Sequence, residues 1–135
     1  MGAPEWEPRV RGSIIGLTRN TSKAEIIKAT LDSLSFQTYN LVKAMENDSK
    51  TKIYEMKVDG GMVNNNSFLQ SLSNILQIKI NRPKNIETTS LGVAYLAALQ
   101  SGYIKNIEEI DKFWKSKKIY KKIINKKIIN KEIKI

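Results

Sequence analysis

The chain has no cysteine and no histidine among its 135 residues, and only three prolines. Without thiol or imidazole there is no Cys/His zinc site, no disulfide frame, no Ser-His-Asp triad and no histidine acid–base chemistry. No apolar run reaches the length of a membrane span and no signal peptide opens the sequence, so a cytoplasmic protein is expected. What is present suffices for folding. Hydrophobic residues make up 41% of the chain, enough to bury a core, and the length predicts one main domain.

The formal net charge of +10 invites a nucleic-acid reading until it is divided by position. From Lys112 to Ile135 there are ten lysines and one acid, Glu132, a net of +9. Residues 1–111 carry 13 basic and 12 acidic side chains, a net of +1. The basicity belongs to a tail that reads KKIIN-KKIIN-KEIKI from Lys121. Its isoleucines fit neither a helical nor a strand period, and the repeat has no aromatic or arginine to stack on bases. A low-complexity, partly disordered extension is expected over 115–135, with no specific nucleic-acid partner.

Along the body, Met1 to Arg11 reads as a loop and Ser13 to Leu17 (SIIGL) as a short buried strand. Ser22-x-x-Glu25 is a capping box, and Ile27, Leu31, Leu34, Thr38, Leu41 and Met45 then recur at helical spacing. This predicts a helix over Lys23 to Glu46 with that stripe inward and Asp32 on its wet flank. Lys52 to Val58 alternates as a strand, Phe68 to Leu76 has helical spacing, and Ile78 to Ile80 reads as a second strand. A helix follows from Thr88/Thr89 to a Gly102 stop, with a thin face of Gly92, Ala94, Ala97 and Ala98. A last helical piece is predicted over Ile107 to Trp114. The order predicts an α/β fold with long helices on a small parallel sheet.

Chemistry concentrates where the strand ending at Val58 runs into Asp59-Gly60-Gly61-Met62-Val63-Asn64-Asn65. Ligands of open α/β sheets sit at the carboxyl ends of strands, and unpaired amides at a helix start favour phosphate. Glycine lets the backbone lie close to a ligand, and Asn65 can add a side-chain amide. The same residues also suit a tight turn with asparagine caps, and neither a Walker A pattern nor GxGxxG is present. Arg19 is a second, accessory candidate for an anion, and Thr88-Thr89-Ser90 reads mainly as a helix cap. Asp59 is the one acid beside the loop, placed to satisfy loop amides or to orient water around a magnesium ion. It is not assigned as a general base.

Gly12 to Asp32, G-S-I-I-G-L-T-R-N-T-S-K-A-E-I-I-K-A-T-L-D, resembles the C-terminal signature of the FGGY carbohydrate kinases. Ala3-Pro4-x-Trp6-x-Pro8, Gly16-Leu17-Thr18-Arg19 and Ala29-Thr30-Leu31-Asp32-Ser33 resemble the glycerol-kinase branch of that family. Val58-Asp59-Gly60-Gly61 is similar to its adenosine loop, and Thr89-x-Leu91-Gly92-x-Ala94-Tyr95-Leu96-Ala97 to the helix after it.

The resemblance implies part of an actin-like/ribonuclease-H-like ATPase domain and transfer of phosphate from ATP to glycerol. By that likeness Gly61 and Asn65 contact ADP or ATP, while Gly60, Met62, Val63 and Asn64 shape the loop. Family members are several times longer, and the likeness covers only their C-terminal portion, here residues 1–114. The catalytic aspartate and first phosphate loop belong to the other portion. No catalytic residue or metal ligand is therefore assigned in this chain, and Mg2+ is expected to be held mainly elsewhere. The isolated chain is expected to be inactive on glycerol because the N-terminal domain is missing, and its expected partner is a separately encoded N-terminal half or a second copy of the chain. A non-catalytic nucleotide-binding fragment and a kinase for another polyol or pentulose are the alternatives.

Overall fold

The computed structural model describes residues 2–133. Helix α1 (Lys23–Ser49) opens on the predicted capping box. Ser22 Oγ accepts from the Glu25 amide, and Glu25 Oε2 accepts from the Ser22 amide at 2.7 Å. The helix runs three residues past the expected Glu46 and stops at Lys50, whose φ of +52° is left-handed. Strand β1 (Glu55–Lys57) then leads through a 3-10 turn (Gly61–Asn64) into α2 (Asn66–Leu76). Strand β2 (Lys79–Pro83), α3 (Thr88–Gln100), a short α4 (Glu108–Asp111), β3 (Ser116–Tyr120) and α5 (Lys126–Ile133) complete the order. Gly102, at φ +79°, ends α3 as its position predicts.

The sheet has the order β1-β2-β3 and is mixed, not all parallel as expected. β1 pairs with β2 in parallel (Met56 with Ile80), while β3 runs antiparallel to β2 (Ile80 with Tyr120). The third strand comes from the Lys-rich tail expected to be low-complexity, and α5 follows it there, while residues 134–135 of that tail lie outside the described residues. Three polar side chains of α2 explain how a sequence without period is held. Gln70 Nε2 donates to Lys121 O, Gln77 Nε2 donates to Ile124 O, and Asn74 Oδ1 accepts from the Ile123 amide. Tyr120 and Ile129 are buried, so tertiary contacts override the missing local periodicity.

The core is one cluster of Val42, Val63, Leu69, Leu72, Leu76, Ile80 and Tyr120. α2 packs against both α1 and the sheet, and each fully buried aliphatic there contributes about 1.5–3 kcal/mol relative to exposure. Two expectations fail on packing. Ser13–Leu17 forms no strand, because no strand lies beside it to satisfy its backbone, and Ile14, Ile15 and Leu17 are exposed. On α1 the buried residues are Ser35 and Val42, whereas Ile27, Leu34, Leu41 and Met45 of the predicted inward stripe are exposed. α1 has one helix to pack on, α2, and it turns the narrower face toward it.

Candidate functional site

The parallel pairing of β1 and β2 brings their carboxyl ends to the same edge, and both following loops meet there. The Val58 amide donates to Asn81 O and the Gly60 amide to Ile86 O. Thr88 Oγ1 donates to Asp59 Oδ2, tying the start of α3 to the end of the β1 loop. Thr88 therefore does not cap α3 as expected, since Glu87 holds the cap position and makes no side-chain cap bond.

Gly60 has φ +82°, a conformation that favours glycine, and it launches the 3-10 turn. The Val63 amide donates to Gly60 O at 3.2 Å and the Asn65 amide to Met62 O at 3.0 Å. Val63 points inward, 2% exposed, and anchors the loop to the core, whereas Met62 stays on the surface. Asn65 caps α2, its Oδ1 accepting from the Phe68 amide at 3.0 Å. Its Nδ2 and the amides of Gly61 and Met62 donate to no other group among the described residues. Gly61 needs no positive φ, and a Cβ built on it meets nothing within 4 Å. The outer side of the loop is thus open and carries unused donors.

Behind the loop, Arg82 on β2 is buried and its guanidinium donates to Asn64 Oδ1 and Asn66 Oδ1. Tyr120 Oη, from the tail strand, also donates to Asn66 Oδ1. Sequence reasoning missed both supports. Arg82 follows the expected strand Ile78 to Ile80 without a motif of its own, and Tyr120 falls in the extension expected to be low-complexity. The other candidates stand apart from this arrangement. Arg19 is exposed, with no hydrogen bond to the loop. Asp32 is not on a wet flank: its side chain is half-buried, accepting from Ser71 Oγ and pairing with Lys28 at 2.5 Å.

Cavities flank the fold, and two of them are lined mainly by apolar side chains. One of about 760 Å³ lies between α3 and residues 110–115, lined by Leu91, Tyr95, Ile110, Phe113 and Trp114. Tyr95 stacks on Phe113 there, ring centroids 5.6 Å apart, and Lys57 sits over the Trp114 ring. The other, about 600 Å³, lies between α1, α2 and the tail. No group of three or more acidic side chains that could hold a metal occurs among the described residues. Asp59, the one acid on the loop, already has one oxygen on Thr88. The residues present do not assemble a Mg2+ site.

A small mixed sheet with helices and a glycine loop at the carboxyl edge of its parallel pair defines an incomplete piece of an actin-like ATPase fold, and solved structures agree. Plasmodium falciparum glycerol kinase, solved with ADP, superposes with a TM-score of 0.85 at 30% identity, covering 98% of this chain and 26% of that one. A ligand-bound xylulose kinase from Lactobacillus acidophilus gives 0.76 at 28% identity, with the same coverage of each chain.

Residues 1–101 match the model of the FGGY family of carbohydrate kinases, C-terminal domain. The chain belongs to that family. Glycerol kinase of Desulforamulus reducens is 51% identical over 115 residues, 85% of this chain and 23% of that protein. Glycerol kinase of Gluconobacter oxydans is 43% identical over 120 residues, 89% of this chain and again 23% of that protein. The chain thus spans under a quarter of the length of these curated relatives. The superposition on the Plasmodium enzyme takes in almost the whole chain, so it includes most of the tail that the sequence pattern set aside.

Proposed function

We propose that the chain is the C-terminal, nucleotide-binding portion of a glycerol kinase, which transfers the γ-phosphoryl group of ATP to glycerol to give sn-glycerol 3-phosphate and ADP. The observation that carries the reading is the open loop at Gly60–Asn65, whose outer donors have no partner among the described residues. Its neighbours in sequence support glycerol as the acceptor, since the relatives at 43% and 51% identity are glycerol kinases.

In this reading Gly60 sets the turn, and Gly61 lets the nucleotide approach the backbone without a side chain between them. The free amides of Gly61 and Met62 and the Nδ2 of Asn65 donate to acceptor atoms of the nucleotide. Val63 and Asn64 fix the loop from below, and Asp59 fixes it sideways through Thr88. These residues bind and orient. Phosphoryl transfer depends chiefly on positioning and charge neutralisation; the one acid beside the loop, Asp59, is held by Thr88, and no acidic cluster that could hold a metal occurs among the described residues. By itself it binds nucleotide and does not phosphorylate glycerol.

ADP titration of the purified chain, with a coupled assay for glycerol-dependent ADP release, tests both halves. Saturable ADP binding without turnover is expected, and turnover after adding the N-terminal portion of a glycerol kinase. Binding that Gly61→Val leaves intact would sink the loop assignment. Turnover by the chain alone would sink the division of labour. Running the complemented assay with xylulose and gluconate beside glycerol decides the acceptor, because the structural neighbours include kinases of both sugars.

A further inference from the structure

Arg82 is 8% exposed, and no carboxylate pairs with it among the described residues. Burying a guanidinium is costly unless its donors are used, and packing alone would be served better by Leu or Met. Its donors go to two side chains of one short segment. Nη2 donates to Asn64 Oδ1 at 2.7 Å and Nη1 to Asn66 Oδ1 at 3.2 Å, while Nε has no partner. The residue between those two asparagines is Asn65, whose Oδ1 caps α2 and whose Nδ2 is free. A planar fork holds two acceptors at a fixed separation, which a lysine ammonium on a flexible stem does not reproduce. Ile80, two residues earlier on the same face of β2, is fully buried in the core, so the fork rises from a rigid base.

We propose that Arg82 is a positioning residue of the nucleotide loop: by gripping Asn64 and Asn66 it fixes the turn that presents the Gly61 amide and Asn65 Nδ2 to the ligand. Tyr120 shares the grip through Asn66, which couples the tail strand to the same loop. The inference rests on the nucleotide reading of the loop but adds to it a residue that does not touch the ligand.

The test uses the 135-residue chain with Arg82→Lys, Arg82→Met and Asn64→Ala singly, and with each arginine change combined with Asn64→Ala. Two readouts are taken: ADP affinity, and hydrogen exchange without nucleotide at the amides of Val63, Asn65 and Phe68 against those of α2 from Leu72 onward. Both arginine variants are expected to weaken ADP binding about tenfold and to speed loop exchange by a similar factor, with α2 protection much less changed. Adding Asn64→Ala to Arg82→Met is expected to cost little more, because both changes remove the same contact. Asn64 is exposed, so Asn64→Ala keeps the chain folded even if Arg82→Met does not, and it must loosen the loop in the same way. Unchanged loop exchange, full rescue by lysine, or equal loss of protection in loop and α2 overturns the proposal. If the wild-type chain binds no ADP, the nucleotide reading falls, and the exchange arm alone decides whether Arg82 holds the loop.

Discussion

Helices α2 and α3 start on either side of one loop cluster and end in opposite environments. Of the 11 residues of α2, Leu69, Leu72, Ser73, Asn74, Ile75 and Leu76 are buried. Of the 13 residues of α3, TTSLGVAYLAALQ, none is buried, and Val93 and Leu96 are 66% and 61% exposed. By composition α3 is the more apolar of the two, so its exposure does not come from a polar sequence. α2 has α1, the sheet and the tail around it, whereas α3 has the Tyr95–Phe113 stack. One face of α3, with Leu91, Tyr95 and Leu99, is half-buried, while Val93 and Leu96 leave an apolar patch in solvent among the described residues.

The contrast can be broken by substitution. Leu69→Ala or Ile80→Ala is expected to cost about 2–5 kcal/mol, since each empties a filled site, and urea unfolding would read it as a large fall in midpoint. Val93→Ser or Leu96→Ser on α3 is expected to stay within about 0.5 kcal/mol and to reduce self-association in sedimentation runs. A large loss of stability from either α3 change would mean that α3 is packed in solution.

At the loop the same logic separates folding from binding. Asn65→Ala removes the α2 cap and is expected to cost about 1 kcal/mol. Asn65→Asp keeps an acceptor for the Phe68 amide, so stability is retained while ADP binding falls by about tenfold or more through loss of the Nδ2 donor. Wild-type ADP affinity in Asn65→Asp would remove Nδ2 from the site.

The smallest effect concerns pH at the end of α1. The hydrogen bond from Lys43, and then that from the Ile53 amide, hold the Glu46 carboxyl below its ordinary range. A lowered folded-state value means the contribution is present above the ordinary carboxylate range and is lost as pH falls through the lowered value. Melting temperature should therefore drop slightly on acidification, and Glu46→Gln should flatten that part of the profile. An unchanged slope in Glu46→Gln would take Glu46 out of the account.

Local chemistry made much of this legible in the sequence. The Ser22–Glu25 box, the Gly102 stop and the strand-to-loop joint at Val58–Asn65 all depend on residues within one turn of each other, and the structure places them as expected. Partners distant in sequence were harder to read. The Ser13–Leu17 segment looks like a strand but has no neighbour to pair with. The stripe of Ile27, Leu34, Leu41 and Met45 looks like a core face but stays exposed among the described residues. Residues 116–133 lie in the extension expected to be low-complexity, yet β2 and the Gln70, Asn74 and Gln77 side chains supply order from outside. At the candidate site the loop was readable. Its support by Arg82 and Tyr120 was not, because neither residue lies within the motif.

Calorimetric titration of ADP into the wild-type chain and Gly61→Val, with urea unfolding of both, tests the central claim most directly. A Cβ at Gly61 meets nothing within 4 Å among the described residues, so the two should unfold at the same midpoint while only the wild type binds ADP, saturably and one to one. No binding by the wild-type chain, or undiminished binding by Gly61→Val, would contradict the account.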